Sequence, residues 1–256
     1  MTITSADNPR IKAIAKLKTA RQRRRTGLFL IEGNREVRRA IESGIVIDTL
    51  VVCDELLGAD PVPESTAEII NVAPAPMRRI AMRQNPPGTI AVAGQFDTTL
   101  ERLDVASPPL VLVAEGIEKP GNLGAMMRTC DGAAAALVVA DAGTDLFNPN
   151  VIRSSQGALF TVPVASTSAG HVVEWLEMRE MPLIGGYPAA ATEIWDVDLT
   201  GPVAVLVGAE DVGISERWDA VTTPVRIPMA GAADSLNASV SAALFLYEAV
   251  RQRRLL

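Results

Sequence analysis

The stretch LVLVAEGIEKPGNLGAMMRTCDGAAAALVVA, residues 110–140, decides the fold of the second half of the chain. LVLVA (110–114) is a continuous apolar run of strand length, as expected for a strand covered on both faces. A glycine-bearing loop follows, then a segment with helical spacing from about Asn122 to Gly132, then LVVA (137–140), again apolar throughout. Strand, helix, strand is a crossover unit, and a crossover helix joins parallel strands. The same alternation continues downstream. Strand patterns at 161–165 (TVPVA), 183–186 (LIGG), 203–208 (VAVLVG) and 225–229 (VRIPM) alternate with helical patterns at 149–157, 170–179, 215–220 and from Asn237 to Arg253. The expectation is an α/β domain built on a parallel sheet.

Working back from residue 110, DTTLERLDVASPP (97–109) loses periodicity and ends in two prolines, the composition of a linker. Before it lie strands FLIEG (29–33), TLVVC (49–53), EIINV (68–72) and TIAVA (89–93), with helices over 34–43 and 75–82. Asn8 followed by Pro9 marks a helix start, so the basic residues that come next are expected to ride on a helix. Two domains follow, a small α/β unit over 1–100 and the parallel-sheet domain over 108–256.

At 256 residues and a formal charge of −6 the chain argues against a nucleic-acid partner until the charge is mapped. Residues 1–40 hold eleven lysines and arginines against three acids, a local +8, which leaves −14 on the remaining 216. A basic end on an acidic body is the footprint of a protein that meets phosphates through one part of its surface. Within it the run RQRRR (21–25) makes Arg23, Arg24 and Arg25 candidate RNA contacts. No apolar run approaches the ~18 residues of a membrane span and no export signal opens the chain, so a cytoplasmic protein is expected. Cys53 and Cys130 read as buried thiols, and the single histidine, His171, removes zinc sites with several imidazoles. No metal is expected.

In open α/β sheets, ligands sit beyond the carboxyl ends of the strands. The loops there are EGIEKPGNLG, GGYPAAA, GAEDVGIS and MAGAADSLN, all rich in glycine or alanine, which lets a backbone approach a ligand closely. GNLGAMMRT follows a strand and opens a helix but lacks the Gly-x-Gly-x-x-Gly of a dinucleotide site, and no phosphate loop ending in Gly-Lys-Ser or Gly-Lys-Thr is present. Of Ser235, Asn237 and Ser239, which precede the last helix, one is expected to be its cap.

Three of these phrases, in order, carry a resemblance. GNLGAMMRT (121–129) meets Asn-x-Gly-x-x-x-Arg, GAEDVGIS (208–215) meets Gly-x-Glu-x-x-Gly, and IPMAGAADSLNASVSAALFLYEAV (227–250) meets an apolar-Pro-Met segment leading to Ser-Leu-Asn-x-Ser. Together they resemble the SpoU-type (TrmH-like) RNA ribose 2′-O-methyltransferases of the SPOUT superfamily, over residues 110–256. FLIEGNREVRRAIESG resembles the opening of the substrate-binding domain that precedes many such catalytic domains, a fold shared with ribosomal proteins that bind kinked RNA.

The resemblance implies a trefoil knot in the C-terminal domain, a homodimer and S-adenosylmethionine as cofactor. It places the cofactor at Gly185, Gly186, Gly208, Ala209, Glu210, Ile227, Pro228, Met229, Leu236, Asn237, Ala238 and Ser239. It gives catalysis to Asn122, Arg128, Glu210, Ser235 and Asn237, with Glu210 organising the arginine and the third-motif side chains. Arg128 and Arg153 are implied RNA contacts. For Arg128, positioning and electrostatic stabilisation suit a guanidinium better than action as a base, because its pKa above ~12 makes deprotonation costly. The substrate expected is structured RNA, ribosomal in preference to transfer RNA. The alternatives are a tRNA ribose methyltransferase, a base methyltransferase from a neighbouring branch, and a non-catalytic RNA-binding protein of ribosome assembly.

Overall fold

The computed structural model describes residues 2–58 and 61–255. In chain order its elements are α1 (Pro9–Lys16), α2 (Ala20–Thr26), β1 (Leu28–Glu32), α3 (Asn34–Glu42), β2 (Ile47–Val52), β3 (Glu68–Asn71), α4 (Pro74–Ile80) and β4 (Thr89–Gly94). There follow β5 (Leu110–Glu115), α5 (Pro120–Ala133), β6 (Ala136–Ala140), α6 (Pro149–Ser154), β7 (Val164–Thr167), α7 (Ala169–Glu177), β8 (Leu183–Gly186), β9 (Val203–Val207), β10 (Thr222–Val225) and α8 (Ala238–Arg253). They form two compact units. The first comprises Met1–Phe96 with Asp145–Thr161, the second Asp97–Thr144 with Val162–Leu256.

The first unit carries a mixed sheet in the order β1-β4-β2-β3, in which β4 runs antiparallel to both neighbours and β3 parallel to β2. The N-terminal basic run rides on two helices instead of the one expected. α1 stops at Leu17, and Thr19 caps α2 by accepting from the Gln22 N–H. Asp145–Thr161 breaks the expected continuity of the second domain for a packing reason. Phe147 and Phe160, on either side of α6, lie 5.0 and 6.3 Å from the ring of Phe29 on β1, and Phe96 meets Phe147 edge-on. Each such aromatic pair contributes ~0.5–1.5 kcal/mol beyond its burial.

The second unit is a six-stranded sheet in the order β10-β8-β9-β5-β6-β7, with every neighbouring pair parallel. The central strands β5, β6 and β9 are buried at every residue, as continuous apolar runs require, while the edge strands β10 and β7 are partly open. From β5 the chain winds outward through β6 to β7, then crosses to β8 and fills the other side with β9 and β10. The direction reverses between β5 and β9, and such a switch point opens a crevice at the strand ends. Two expected strands move. VRIPM is a strand only at Val225, because Arg226 turns to bond the 192–194 segment, its N–H donating to the Thr192 carbonyl and its carbonyl accepting from the Ile194 N–H, both at 2.9 Å. TVPVA begins its strand after Pro163, which has no N–H to donate.

Candidate active site

β5 and β9 end side by side, with Ala114 paired to Val207. The next residue of β5, Glu115, is buried and accepts from the N–H (2.9 Å) and Oγ (2.6 Å) of Ser215. That pins the far end of the 208–215 loop to the centre of the sheet. Within the loop the spacing Gly-x-Glu-x-x-Gly has a steric cause. A Cβ on Gly208 would lie 2.1 Å from the carbonyl carbon of Gly213, and Gly213 itself has φ +70°, where side chains are strained. The Gly213 N–H closes the turn on the Ala209 carbonyl at 2.9 Å, with Glu210 between them.

Glu210 is the meeting point of three segments. Its Oε2 accepts from the ammonium of Lys119, and its Oε1 from Nδ2 of Asn122, in the first turn of α5. Oε1 also accepts from Nδ2 of Asn237 at 2.8 Å, and that same amide donates to Asn122 Oδ1 at 3.3 Å. Of the three candidates for the helix cap, Asn237 is the one that fills the position. Its Oδ1 accepts from the Ser239 N–H at 3.0 Å and from the Ser239 hydroxyl at 2.6 Å, which fixes which end of the amide faces Glu210.

The hydrogen bond from Lys119 is the main reason the Glu210 carboxyl lies below the usual carboxylate range, with Asn122 adding to it against desolvation. The Lys119 ammonium is raised in turn, chiefly by Glu210. A depressed carboxyl is an acceptor at neutral pH and a weak proton acceptor in chemistry, so Glu210 is built to hold donors in place. Its contribution to stability is present above the ordinary carboxylate pKa and fades as pH falls through its lowered value.

Glu210 and Ala209 border two cavities. One, an open-sided cleft of about 140 Å³, lies against β8, β9 and the start of α8. Of the residues expected at a cofactor, Gly186, Gly208, Ala209, Glu210, Ile227, Met229, Leu236 and Ala238 line it. Ser235 lines it too, as do Tyr187, Ile214, Asp234, Ser241 and Phe245, which sequence reasoning did not select. Gly185, Pro228, Asn237 and Ser239 do not line it. Gly185 is glycine because a Cβ would strike Tyr187 and Thr222 at 2.6 Å. The second cavity, about 160 Å³, is lined by Ile117, Glu118, Lys119, Asn122, Asp211 and Val212 beside Ala209 and Glu210.

Arg128 lies six residues beyond Asn122 on α5, exposed, and among the described residues no hydrogen bond or ion pair holds its guanidinium. Arg24, Arg25 and Arg153, all in the first unit, are exposed and unheld in the same way. Arg23 is different and leaves the set of RNA contacts. It is 2% exposed, its Nη1 donates to the carbonyls of Leu17 (2.9 Å) and Lys18 (2.8 Å), and its Nε and Nη2 clasp Asp145. A position inside RQRRR gave no sign of this. Sequence reasoning also passed over Lys119 and Glu115. The signal was faint but present: Lys119 is the only cation in the EGIEKPGNLG loop, and Glu115 is a carboxylate ending an apolar strand.

Comparison with known proteins bears on this arrangement. A family model described as the SpoU rRNA Methylase family matches residues 109–247, and one described as the MRM3-like substrate binding domain matches 8–91. The chain is 33% identical over 252 residues to a 23S rRNA (uridine(2479)-2′-O)-methyltransferase of Streptomyces viridochromogenes, covering 93% of this chain and 88% of that one. It is 29% identical to the 23S rRNA (guanosine(2553)-2′-O)-methyltransferase RlmP of Bacillus subtilis, over 96% and 97% of the two chains. Among solved structures, the SpoU methyltransferase AviRb of S. viridochromogenes in complex with AdoMet superimposes with a TM-score of 0.90 at 32% identity, covering 96% and 98%.

Proposed function

The chain belongs to the SpoU rRNA methylase family, and from that premise we propose that it methylates a ribose 2′-hydroxyl of structured RNA, ribosomal in preference to transfer RNA, using S-adenosylmethionine. The observation that carries the cofactor reading is the chemistry of the cleft. Two carboxylates, hydroxyls and apolar side chains line it, and no lysine or arginine does. A nucleotide bearing phosphates would find no cation there, whereas a nucleoside carrying a sulfonium finds apolar walls and acids. When bound, that cofactor supplies an electrophilic methyl group.

The chain's own residues have separate tasks. Gly186, the Gly208–Glu210 turn, Ile227, Met229, Leu236 and Ala238 would hold the cofactor, while Gly185, Pro228, Asn237 and Ser239 shape the backbone beside it. Glu210, with Asn122 and Asn237, fixes the start of α5 relative to the start of α8. Arg128, on that same α5, clamps the phosphate next to the target ribose and polarises the hydroxyl. Alignment of this kind is worth several kcal/mol, up to ~7–11 in favourable cases. Ser235, at the cleft, is the remaining catalytic candidate.

Residues 1–100 form the RNA-binding domain in this reading, with Arg24 and Arg25 on phosphates, joined by Arg153. The active form is a homodimer to which the exposed Val240 and Tyr247 of α8 contribute. Residues 226–237, between β10 and α8, belong to the family's knot. A cytoplasmic location follows from a ribosomal substrate. The test is incubation with labelled S-adenosylmethionine and separate pools of ribosomal and transfer RNA, then mapping of the modified nucleoside. Label on a ribose of ribosomal RNA supports the reading, label in transfer RNA replaces the substrate, and label on a base overturns the reaction. The same preparation should sediment at twice 27.1 kDa.

A further inference from the structure

The cleft holds two carboxylates, Glu210 and Asp234, and they stand in different electrostatic states. Glu210 faces the Lys119 ammonium and two amide donors, so its charge is already compensated. Asp234, exposed and next to Ser235, has no hydrogen bond or ion pair among the described residues, and no cationic side chain lines the cleft. The cleft therefore presents one uncompensated negative charge, at Asp234.

We propose that Asp234 sets the cleft's preference for the charged methyl donor over the spent product, by attracting the sulfonium that the donor carries and the product lacks. This rests on the reading of the cleft as the S-adenosylmethionine site. The donor's sulfur bears a positive charge. When the methyl passes to the ribose oxygen and the hydroxyl proton leaves to solvent, the sulfur keeps the electron pair of the broken bond and becomes a neutral thioether. The amino-acid end and the nucleoside are the same before and after. A carboxylate that acts on either of those shared parts changes the affinity for donor and product equally, whereas one that acts on the sulfonium changes only the donor's. Asp234 thus favours replacement of product by donor between turnovers, through donor affinity alone and without adding a residue to the chemistry.

At roughly 4 Å in high dielectric, one pair of charges is worth ~1 kcal/mol, about fivefold in affinity. The experiment is calorimetry of the full-length wild type, Asp234→Asn and Asp234→Glu with S-adenosylmethionine and with S-adenosylhomocysteine. Asp234→Asn should lose about fivefold in donor affinity and keep product affinity, Asp234→Glu should restore most of the difference, and added salt should narrow the wild-type preference but not that of Asp234→Asn. An equal loss for both ligands, or no loss for either, overturns the proposal while leaving the cofactor assignment intact. If the folded wild type binds neither ligand, the cofactor assignment itself fails and takes this inference with it.

Discussion

The guanidinium of Arg23 on α2 is buried and hydrogen-bonded through Nε, Nη1 and Nη2, whereas that of Arg128 on α5 stands exposed with no partner among the described residues. The two side chains are chemically identical. Arg23 uses its fork to close the end of α1 and to hold Asp145, which lies 122 residues away in sequence. The fork of Arg128 has no partner among the described residues, on the helix whose first turn is tied to Glu210, and it is the fork we propose clamps the RNA. What separates the structural arginine from the one proposed to act on RNA is whether its donors are already satisfied within the chain.

The strongest way to break this contrast is to remove Arg128. Arg128→Ala should cut single-turnover methylation by ~10³-fold, the scale of losing a principal transition-state donor. Stability should stay within ~0.5 kcal/mol, as for an exposed residue without partners. Arg128→Lys keeps the charge but not the planar fork and should recover little activity if the role is a bidentate clamp. Near-full activity of the alanine variant would remove Arg128 from the mechanism.

Removing Arg23 should give the mirror image. Arg23→Ala leaves the Asp145 carboxylate and two helix-end carbonyls without a donor, at a cost of ~3 kcal/mol, the low end for a broken buried pair because Asp145 is partly exposed. Urea denaturation should show the destabilisation, while methylation per folded molecule stays unchanged. A variant with full stability and weakened RNA affinity would return Arg23 to the RNA surface.

A smaller effect sharpens the contrast within α2 itself. Arg24→Ala with Arg25→Ala should weaken RNA binding several-fold and reduce the salt slope by about 0.7–0.9 for each phosphate that is no longer neutralised. Cofactor affinity and the denaturation midpoint should not move. An unchanged slope in filter binding across a salt series would make Arg24 and Arg25 an ordinary solvated helix end.

Much of this architecture could be read from local pattern. Continuous apolar runs at 110–114, 137–140 and 203–208 become β5, β6 and β9, because a strand covered on both faces needs no polar alternation. Asn122, Glu210 and Asn237 were singled out through the motifs that carry the family resemblance, and the structure brings those three side chains together. The site was illegible where a residue's role depends on a distant neighbour. Lys119 matters because Glu210 faces it across 91 residues, and Glu115 because Ser215 does so across 100. Pro163 delayed the start of one strand, and Arg226 ended another by bonding Thr192 and Ile194, because apolar character does not reveal which N–H groups the sheet needs.

The sequence by itself determined the alternation of strands and helices, the glycines of the 208–213 turn and a polar cap within 235–239 ahead of the last helix. Each is set by a few neighbouring residues through backbone sterics and local hydrogen bonds. Only the tertiary structure decided that Arg23 is buried, that Asp145–Thr161 packs with the first unit, and that Glu210 is compensated while Asp234 is not. Those outcomes depend on which groups meet across long stretches of chain, and charge and burial belong to the environment the fold creates around a side chain.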